Sequence, residues 1–326
     1  MSALPDRPPL EAPSLAAIEG ARERIRDLAL RTPLVRLNVE DTPAEIWLKL
    51  ENLQPIGSFK IRGAGNAMRS TAAQELRDGV YTASAGNMAQ GVAWVARELE
   101  IPCSVVVPDR APRAKQDAIE RLGARVIKVP FEEWWQVIVD HRFEGVAGRM
   151  IHPFADAAVM AGNGTIGLEI LEDLPGCDAV LVPYGGGGLS CGIAAAVKAS
   201  RPAVKVFAVE VETASPLAAA LEAGEPAQVE MTPSFVDGIG SARVVDEIWP
   251  LARSHLDGSL VVRLDEVAEA IRLLAGRNRV VAEGAGAVAV AAALAGKAGS
   301  GRVACIVSGG NIDADKLSRI LEGQAI

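Results

Sequence analysis

The sequence predicts an α/β protein whose mainly parallel sheets are covered by helices on both faces. Short runs of β-branched or apolar residues alternate with longer helical patterns, which is typical of buried parallel strands joined by helices. The length of 326 residues corresponds to about two domains at roughly 100 to 200 residues each. The composition combines 32 glycines with only five Trp, two Tyr and six Phe, and glycine in loops lets the backbone approach a ligand closely.

The first predicted element is an amphipathic helix that ends before Pro33, with Ser14 as its N-cap. Its apolar side carries Ile18, Ile25, Leu28 and Leu30. The strands predicted after it are 46–50, 80–83, 104–107, 126–129, 180–183, 204–209, 260–262 and 303–307. Helices are predicted between them, among others at 58–70, 88–99, 112–122 and about 189–199.

Composition excludes several classes of function. The net charge of -8 disfavours a nucleic acid partner, and no Cys-x-x-Cys pair accompanies the three histidines as a zinc framework would require. The N-terminal residues 1–14 contain four prolines and charged residues instead of an apolar signal sequence, so we expect a short disordered lead-in and a cytoplasmic protein. The most apolar stretch, 284–296, falls well short of the roughly 20 residues that a membrane-spanning helix needs.

Ligands of parallel sheets bind at the carboxyl ends of the strands, and candidate residues for chemistry are concentrated there. Lys60 stands near the start of a predicted helix, where the helix dipole disfavours a cation and lowers the pKa of the amine. A nucleophilic amine needs such an environment, although an ordinary surface lysine is the alternative. The segment 84–91 follows a strand and exposes backbone N–H groups suited to a carboxylate, or else forms a simple turn capped by Ser84 or Asn87.

Four consecutive glycines, Gly185 to Gly188, connect a strand to a helix and are suited to binding a phosphate through backbone amides. The run lacks both the last glycine of the dinucleotide-binding pattern and the Gly-Lys-Ser/Thr of a P-loop. It does match the Gly-x-Ser-x-Gly elbow of hydrolases, so a serine hydrolase that uses Ser190 and the downstream His255 is an alternative. A fourth segment, 305–311, ends the last strand and brings the Ser308 hydroxyl to the same edge.

In this order, the four segments resemble the fold-type II pyridoxal-phosphate enzymes, and specifically the threonine/serine dehydratase and serine racemase family. Arg31-Thr32-Pro33-Leu34 and Glu283-Gly284-Ala285-Gly286-Ala287 extend the resemblance over nearly the whole chain. It implies a two-domain fold like that of the tryptophan synthase β chain. Residues 1–77 and 151–326 would form a large cofactor-binding domain, residues 78–150 a small mobile domain, and the chain a homodimer.

The resemblance also implies pyridoxal 5'-phosphate as the cofactor, held by Lys60 as a Schiff base. Phe59 would pack against its ring, Asn87 would bond its phenolic oxygen, and Ser308 its ring nitrogen. The remaining residues implied to bind the cofactor are Gly185, Gly186, Gly187, Gly188, Leu189, Gly238 and Glu283. The residues implied to bind an amino-acid substrate are Ser84, Ala85, Asn87, Met88, Gln90 and Ser241.

The implied activity is that of an ammonia-lyase, which converts threonine or serine to a 2-oxo acid and ammonia. A serine at the ring nitrogen makes the ring a weaker electron sink than a carboxylate would, which suits β-elimination. Ala85 stands where serine racemases carry a second base, so we expect weak racemisation, and Met88 replaces the usual histidine and favours bulkier 3-hydroxy amino acids. A racemase and a non-catalytic binding module are further alternatives. Glu210 and Ala214 fit the family's Mg²⁺ or Ca²⁺ site, but Pro216 replaces its aspartate.

Overall fold

Strands and helices alternate along residues 9–324, which the computed structural model describes. The strands are β1 (Leu34–Arg36), β2 (Glu45–Lys49), β3 (Val80–Ala83), β4 (Cys103–Pro108), β5 (Arg125–Val129), β6 (Arg149–Met150), β7 (Ala179–Pro183), β8 (Lys205–Val211), β9 (Ser259–Val262) and β10 (Arg302–Ile306). The α-helices are α1 (Leu15–Ile25), α2 (Lys60–Arg69), α3 (Asn87–Glu98), α4 (Arg113–Arg121), α5 (Phe131–Asp140), α6 (Ala157–Asp173), α7 (Gly188–Ser200), α8 (Pro216–Ala223), α9 (Trp249–His255), α10 (Leu264–Leu273), α11 (Gly284–Leu294) and α12 (Ala314–Leu321). A 3₁₀ turn at Glu51–Leu53 precedes α2, and a π-helical turn at Leu274–Asn278 follows α10.

The strands form two sheets. The larger sheet has the order β1-β2-β10-β7-β8-β9, and the smaller one has the order β5-β4-β3-β6. Every neighbouring pair is parallel except β1 and β2. The predicted α/β class with mainly parallel sheets is therefore confirmed. The four strands of the smaller sheet all lie within residues 78–150, while the assignment of that segment as a separate mobile domain stays a prediction.

The larger sheet is covered on both faces because its strands bury alternate residues on opposite sides. In β10, Val303 and Cys305 join the core cluster that contains α10 and α11, whereas Ala304 and Ile306 join the cluster that contains α6, α7 and α9. The same alternation occurs in β7. These strands therefore appear in the sequence as continuous apolar runs, not as alternating ones.

The predicted strands all exist, with ends shifted by at most two residues. Two strands were not predicted. β1 is a three-residue antiparallel edge strand, and β6 has only two residues, so neither produces an apolar run. Ser14 caps α1 as expected, since its hydroxyl accepts from the Ala17 N–H at 3.2 Å. The placement of Leu30 on the buried side of that helix is wrong, because α1 ends at Ile25 and Leu30 is 53 % exposed.

Two further expectations concern the N-terminal lead-in and membrane-spanning helices. Residues 1–8 of the predicted lead-in lie outside the described part of the chain. Between residues 9 and 324, no helix combines the length and apolarity that crossing a membrane requires. The apolar stretch at 284–296 instead forms α11, whose residues are nearly all buried beneath the larger sheet.

Four charged side chains are buried together where β2, the 3₁₀ turn, α2 and α6 meet. Arg62 donates to Glu51 through Nε and Nη2, both at 2.8 Å, and to Glu169 through Nη1 at 2.7 Å. Lys49 Nζ donates to Glu169 at 2.5 Å and to the Thr32 carbonyl at 2.6 Å. Burial opposes the ionisation of Glu51, but Arg62, Thr32 and Lys49 together outweigh it and hold the pKa of that carboxyl below its ordinary value. We call Lys49, Glu51, Arg62 and Glu169 the buried ionic cluster.

Replacing Arg62→Ala should destabilise the protein by about 3 to 5 kcal/mol, because it leaves two buried carboxylates without their main cation. Urea unfolding followed by circular dichroism measures this loss. The control is Arg26→Ala, since Arg26 is exposed and its ion pair with Glu23 is 3.8 Å long; it should change stability by less than about 0.5 kcal/mol. Equal stabilities of the two variants would contradict the role of the cluster.

Candidate active site

A cavity of about 330 Å³ lies at the carboxyl ends of the strands, between the loops that follow β3, β4, β7 and β10. Its lining includes all of the residues predicted to bind a cofactor: Phe59, Lys60, Asn87, Gly185, Gly186, Gly187, Gly188, Leu189, Gly238, Glu283 and Ser308. A larger surface groove of about 1010 Å³, lined mainly by residues 36–45, contains none of the predicted site residues. The structure thus brings the separate sequence segments together in one place.

Lys60 is the first residue of α2 and supplies the amine of the cavity. Its Nζ donates to the Pro153 carbonyl at 2.8 Å and lies 5.1 Å from the centroid of the Phe59 ring. Burial lowers the pKa of the amine to about 8. The lowered pKa agrees with the expectation for a nucleophile, and its cause is desolvation.

The glycine loop, Gly185–Gly188, allows the chain to approach the cavity closely. Gly187 is the N-cap of α7 and has φ +85°, a left-handed conformation that favours glycine. A Cβ on Gly186 would lie 2.3 Å from the Phe154 ring, and one on Gly188 would lie 2.6 Å from the Phe154 carbonyl oxygen. The free amides at the start of this 13-residue helix therefore face a space with no room for side chains, which fits a phosphate group. We call this space, bordered by Gly185–Gly188, the phosphate cradle.

Asn87, the first residue of α3, is bonded to residues that precede α11 and follow β10. Its Nδ2 donates to Glu283 at 2.8 Å, and its Oδ1 accepts from Asn311 Nδ2 at 2.8 Å. Burial raises the pKa of Glu283 to about 7, although the bond from Asn87 acts in the opposite direction. The N-cap of α3 is Gly86. The alternative of Ser84 or Asn87 as N-cap is therefore wrong.

Ser308 lies at the end of β10 and is buried beside Phe59, whose N–H donates to the Ser308 carbonyl at 3.0 Å. Its hydroxyl makes one long bond of 3.5 Å to the Ala285 carbonyl. Because that bond is long, the hydroxyl is available to a ring nitrogen of a ligand in the cavity.

Most of the predicted substrate-binding residues share the same loop. Ser84, Ala85, Asn87 and Met88 line the cavity. Gln90 lines an adjoining cavity of about 270 Å³ that also includes Gly86, Asn87 and Glu283. Ser241 lines neither cavity, and its hydroxyl donates to the Arg243 carbonyl at 3.0 Å.

Glu210 does not fit the metal site that the resemblance implied. Its carboxylate accepts from the Leu217 and Ala218 N–H groups at 2.9 and 2.8 Å and from the Ser259 hydroxyl at 2.6 Å. Both oxygens therefore cap α8 and fix β9, and the Ala214 N–H closes a turn onto the Val211 carbonyl. No group of three or more His, Cys, Asp or Glu side chains among residues 9–324 is arranged to hold a metal ion.

The hydrolase alternative lacks its catalytic arrangement. Ser190 is fully buried, and its hydroxyl donates to the Gly187 carbonyl at 3.1 Å. His255 ends α9, where its Nδ1 lies 2.7 Å from the Ser254 hydroxyl. Ser190 is not among the residues that line the cavity.

Several lining residues were not predicted because they come from loops and helices without a motif. Pro153 and Phe154 precede α6, Phe131 and Trp134 belong to α5, and the further members are Pro108, Lys115, Asp237, Ile239 and Ala285. Lys115 of α4 and Asp237 approach each other to 3.4 Å. The exceptions are Ala285, which belongs to the motif at 283–287, and Asp237 and Ile239, which are the neighbours of the predicted Gly238.

Comparison with known proteins agrees with this geometry. Residues 25–309 match the model of the family described as pyridoxal-phosphate dependent enzyme. The L-threonine ammonia-lyase of Thermotoga maritima is 42 % identical over 94 % of this chain and 78 % of its own length. Maize serine racemase superimposes with a TM-score of 0.88 at 31 % identity, covering 96 % of this chain and 98 % of its own. The processed threonine deaminase isoform 2 of Solanum lycopersicum gives 0.86 at 32 % identity, covering 98 % and 93 %.

The chain belongs to the pyridoxal-phosphate dependent enzyme family. It is a fold-type II enzyme of the lyase type, and pyridoxal phosphate is its cofactor. The predicted family, fold class, enzyme class and cofactor are thereby confirmed. The roles of the individual site residues stay predictions, supported by their convergence on one cavity.

Lys60 of the cofactor-free protein should react with an amine reagent with a midpoint at about pH 8, against 10.5 for an ordinary lysine. Burial disfavours the charged form, so the neutral, reactive amine appears at lower pH in the folded protein. Mass spectrometry of the Lys60 peptide after brief labelling measures this. The urea-denatured protein is the control and should show the ordinary value; equal midpoints in both states would disprove the shift.

Gly188→Ala should weaken cofactor binding about 10- to 100-fold, because the new Cβ meets the Phe154 backbone, which cannot swing aside as a side chain can. Titration of the cofactor-free protein with pyridoxal phosphate, followed by absorbance, measures the dissociation constant. The control is Gly276→Ala, where a Cβ meets no atom within 4 Å. If both variants bind the cofactor as the parent does, the cradle is not where the phosphate binds.

Proposed function

We propose that this protein is an ammonia-lyase that converts a β-hydroxy amino acid such as L-threonine or L-serine to a 2-oxo acid and ammonia. The observation that carries the proposal is the buried Lys60 amine, with its lowered pKa, in a cavity bordered by the N-termini of α3 and α7. The relatives named threonine ammonia-lyase, at 42 and 40 % identity, support it.

The residues of the cavity match the parts of pyridoxal phosphate. Lys60 would bind it covalently, the amides of Gly185–Gly188 and Leu189 would hold its phosphate, and Phe59 would support its ring. Ser308 would bond the ring nitrogen, and Asn87, held by Glu283 and Asn311, would bond the phenolic oxygen. When bound, the cofactor supplies an electron-accepting ring that stabilises the charge left when a proton leaves the substrate Cα.

Lys60 would move the proton at the substrate Cα. Because its pKa is about 8, a useful fraction of the amine is uncharged near neutral pH and can accept that proton. The Pro153 carbonyl, 2.8 Å from Nζ, orients the amine by accepting one of its hydrogens. Desolvation thus supplies the uncharged amine at working pH, and the carbonyl fixes its orientation.

The substrate carboxylate would bind at the start of α3. This helix has 12 residues, and its first amides belong to Asn87 and Met88, whose side chains or backbone line the cavity. The helix dipole and the free N–H groups attract an anion there. The Ser84 hydroxyl, which now accepts from the Gly86 N–H at 3.2 Å, adds a neutral donor.

Racemisation would need a second proton-transfer group on the opposite face of the substrate. Ala85 presents only a methyl group to the cavity, and a methyl group moves no proton. Maize serine racemase shares the fold, but because of Ala85 we propose elimination as the main reaction.

Bulkier 3-hydroxy amino acids are a second candidate substrate class. The specific observation in their favour is the apolar part of the cavity lining, formed by Phe131 and Trp134 of α5 together with Phe154. Such a lining accommodates an apolar β-substituent more readily than a charged one.

We further propose that residues 78–150 close over the substrate, that two chains form a homodimer, and that the enzyme acts in the cytoplasm. The polar bonds from Asn87 to Glu283 and from Lys115 to Asp237 support closure, because each joins the segment 78–150 to the remainder of the chain beside the cavity. The homodimer and the cytoplasmic location rest on the family resemblance.

The test is an ammonia-release screen of the purified holoenzyme over serine, threonine and bulkier 3-hydroxy amino acids of both configurations. Lys60→Ala should abolish ammonia release and the absorption band of the lysine-bound cofactor, whereas Lys128→Ala, at an exposed position, should retain both. Chiral chromatography of the serine reactions measures racemisation at the same time. Interconversion of L- and D-serine as fast as ammonia release would overturn the proposal in favour of a racemase, and activity in Lys60→Ala would remove its basis.

A further inference from the structure

His152 is buried in the segment 151–156, where the chain leaves β6 and enters α6. The Phe154 and Ala155 N–H groups both donate to its Nδ1, at 3.3 and 2.7 Å. Its Nε2 lies 3.2 Å from the Ile138 carbonyl of α5. Because Nδ1 receives two donors, it carries the lone pair, and the proton belongs on Nε2, which donates to Ile138.

The segment that His152 holds contains two residues of the cavity. The Pro153 carbonyl accepts from Lys60 Nζ at 2.8 Å. Phe154 packs so closely on the glycine loop that a Cβ on Gly186 would lie 2.3 Å from its ring. Phe154 also meets the His152 ring edge to face, with the centroids 4.7 Å apart at 84°. His152 is therefore followed directly by Pro153, which contacts the Lys60 amine, and by Phe154, which packs on the glycine loop.

The same imidazole links the two parts of the chain. Ile138 belongs to the segment 78–150, whereas Phe154 and Ala155 lie outside it. On its other face the His152 ring stacks on His141, with the centroids 4.0 Å apart at 24°, and His141 Nε2 lies 3.2 Å from Glu247. A stacked, doubly bonded ring has a single orientation, so the backbone that it holds is also confined to one conformation.

We propose that His152, as the tautomer protonated on Nε2, is a positioning residue that holds the Pro153 carbonyl against Lys60 and Phe154 against the glycine loop. The inference rests on the proposed role of Lys60. The proposal requires a hydrogen-bond acceptor at the position of Nδ1. A ring that only filled space would not need that acceptor.

Two substitutions of similar polarity separate the two functions of the ring. The side-chain oxygen of Asn reaches the position of Nδ1, so His152→Asn keeps an acceptor for the Ala155 N–H. The amide of Gln reaches the position of Nε2, so His152→Gln keeps the donor to Ile138 and loses the acceptor. The pair therefore forms a matched comparison at one buried site.

We expect His152→Gln to lower the kcat of the holoenzyme for ammonia release by about 100-fold with a smaller change in KM, because misplacing a catalytic group by about 1 Å costs that much. The pH midpoint of Lys60 labelling in its cofactor-free form should also differ from that of the parent protein. His152→Asn should keep the parent kcat and midpoint. Thermal unfolding of both variants measures the structural contribution separately.

Equal loss of kcat in the two variants, or an unchanged Lys60 midpoint in His152→Gln, would overturn the proposal. A measurement on the unaltered holoenzyme covers the case in which His152→Gln does not fold. The chain has three histidines, so ¹⁵N-histidine NMR resolves each ring, and His152 should show an unprotonated Nδ1 and a protonated Nε2. A protonated Nδ1 refutes the inference. Both the NMR and labelling readouts are independent of turnover, so a failure of the proposed ammonia-lyase reaction is distinguishable from a failure of this inference.

Discussion

The buried ionic cluster is the interaction on which the position of the active site depends. Lys49, Glu51, Arg62 and Glu169 place two positive and two negative charges in the interior, so the net charge is balanced. Burying them costs desolvation, and only the dense set of hydrogen bonds offsets that cost. Because charged partners tolerate few geometries, the cluster fixes the start of α2 against α6 in one orientation. Lys60 stands two residues before Arg62, so the cluster also fixes the position of Lys60.

The cavity that results combines two kinds of electrostatic environment. The starts of α3 and α7 present backbone amides, which we propose as the binding groups for the carboxylate of a substrate and the phosphate of the cofactor. Lys60 is desolvated instead, which lowers the pKa of its amine and makes it available as a base. The abundance of glycine fits this division, because four consecutive glycines leave the backbone amides beside the cavity uncovered by side chains.

The sequence could predict those site residues that belong to continuous sequence motifs, but not those that reach the cavity by packing. Lys60, the loop at 84–88, the glycine loop and Ser308 all follow strands in continuous motifs, and the parallel sheet brings the ends of its strands to one edge. Pro153, Phe154 and Trp134 carry no such motif, because their part in the cavity arises from packing between elements distant in sequence. Leu30 shows the same limit in the core. Helical spacing predicted it on the buried side of α1, but α1 ends at Ile25 and Leu30 is exposed.

The sequence by itself determined the class of the fold, the family, the cofactor and the candidate amine, because periodicity and short motifs are properties of neighbouring residues. Only the tertiary structure decided why the pKa of the Lys60 amine is lowered, that Ser190 is buried, and that the Glu210 carboxylate accepts from the start of α8. It alone also placed His152 behind Lys60. Desolvation and hydrogen-bond partners are set by which residues meet in space, and Lys60 meets the Pro153 carbonyl, next to His152, only after the chain has folded.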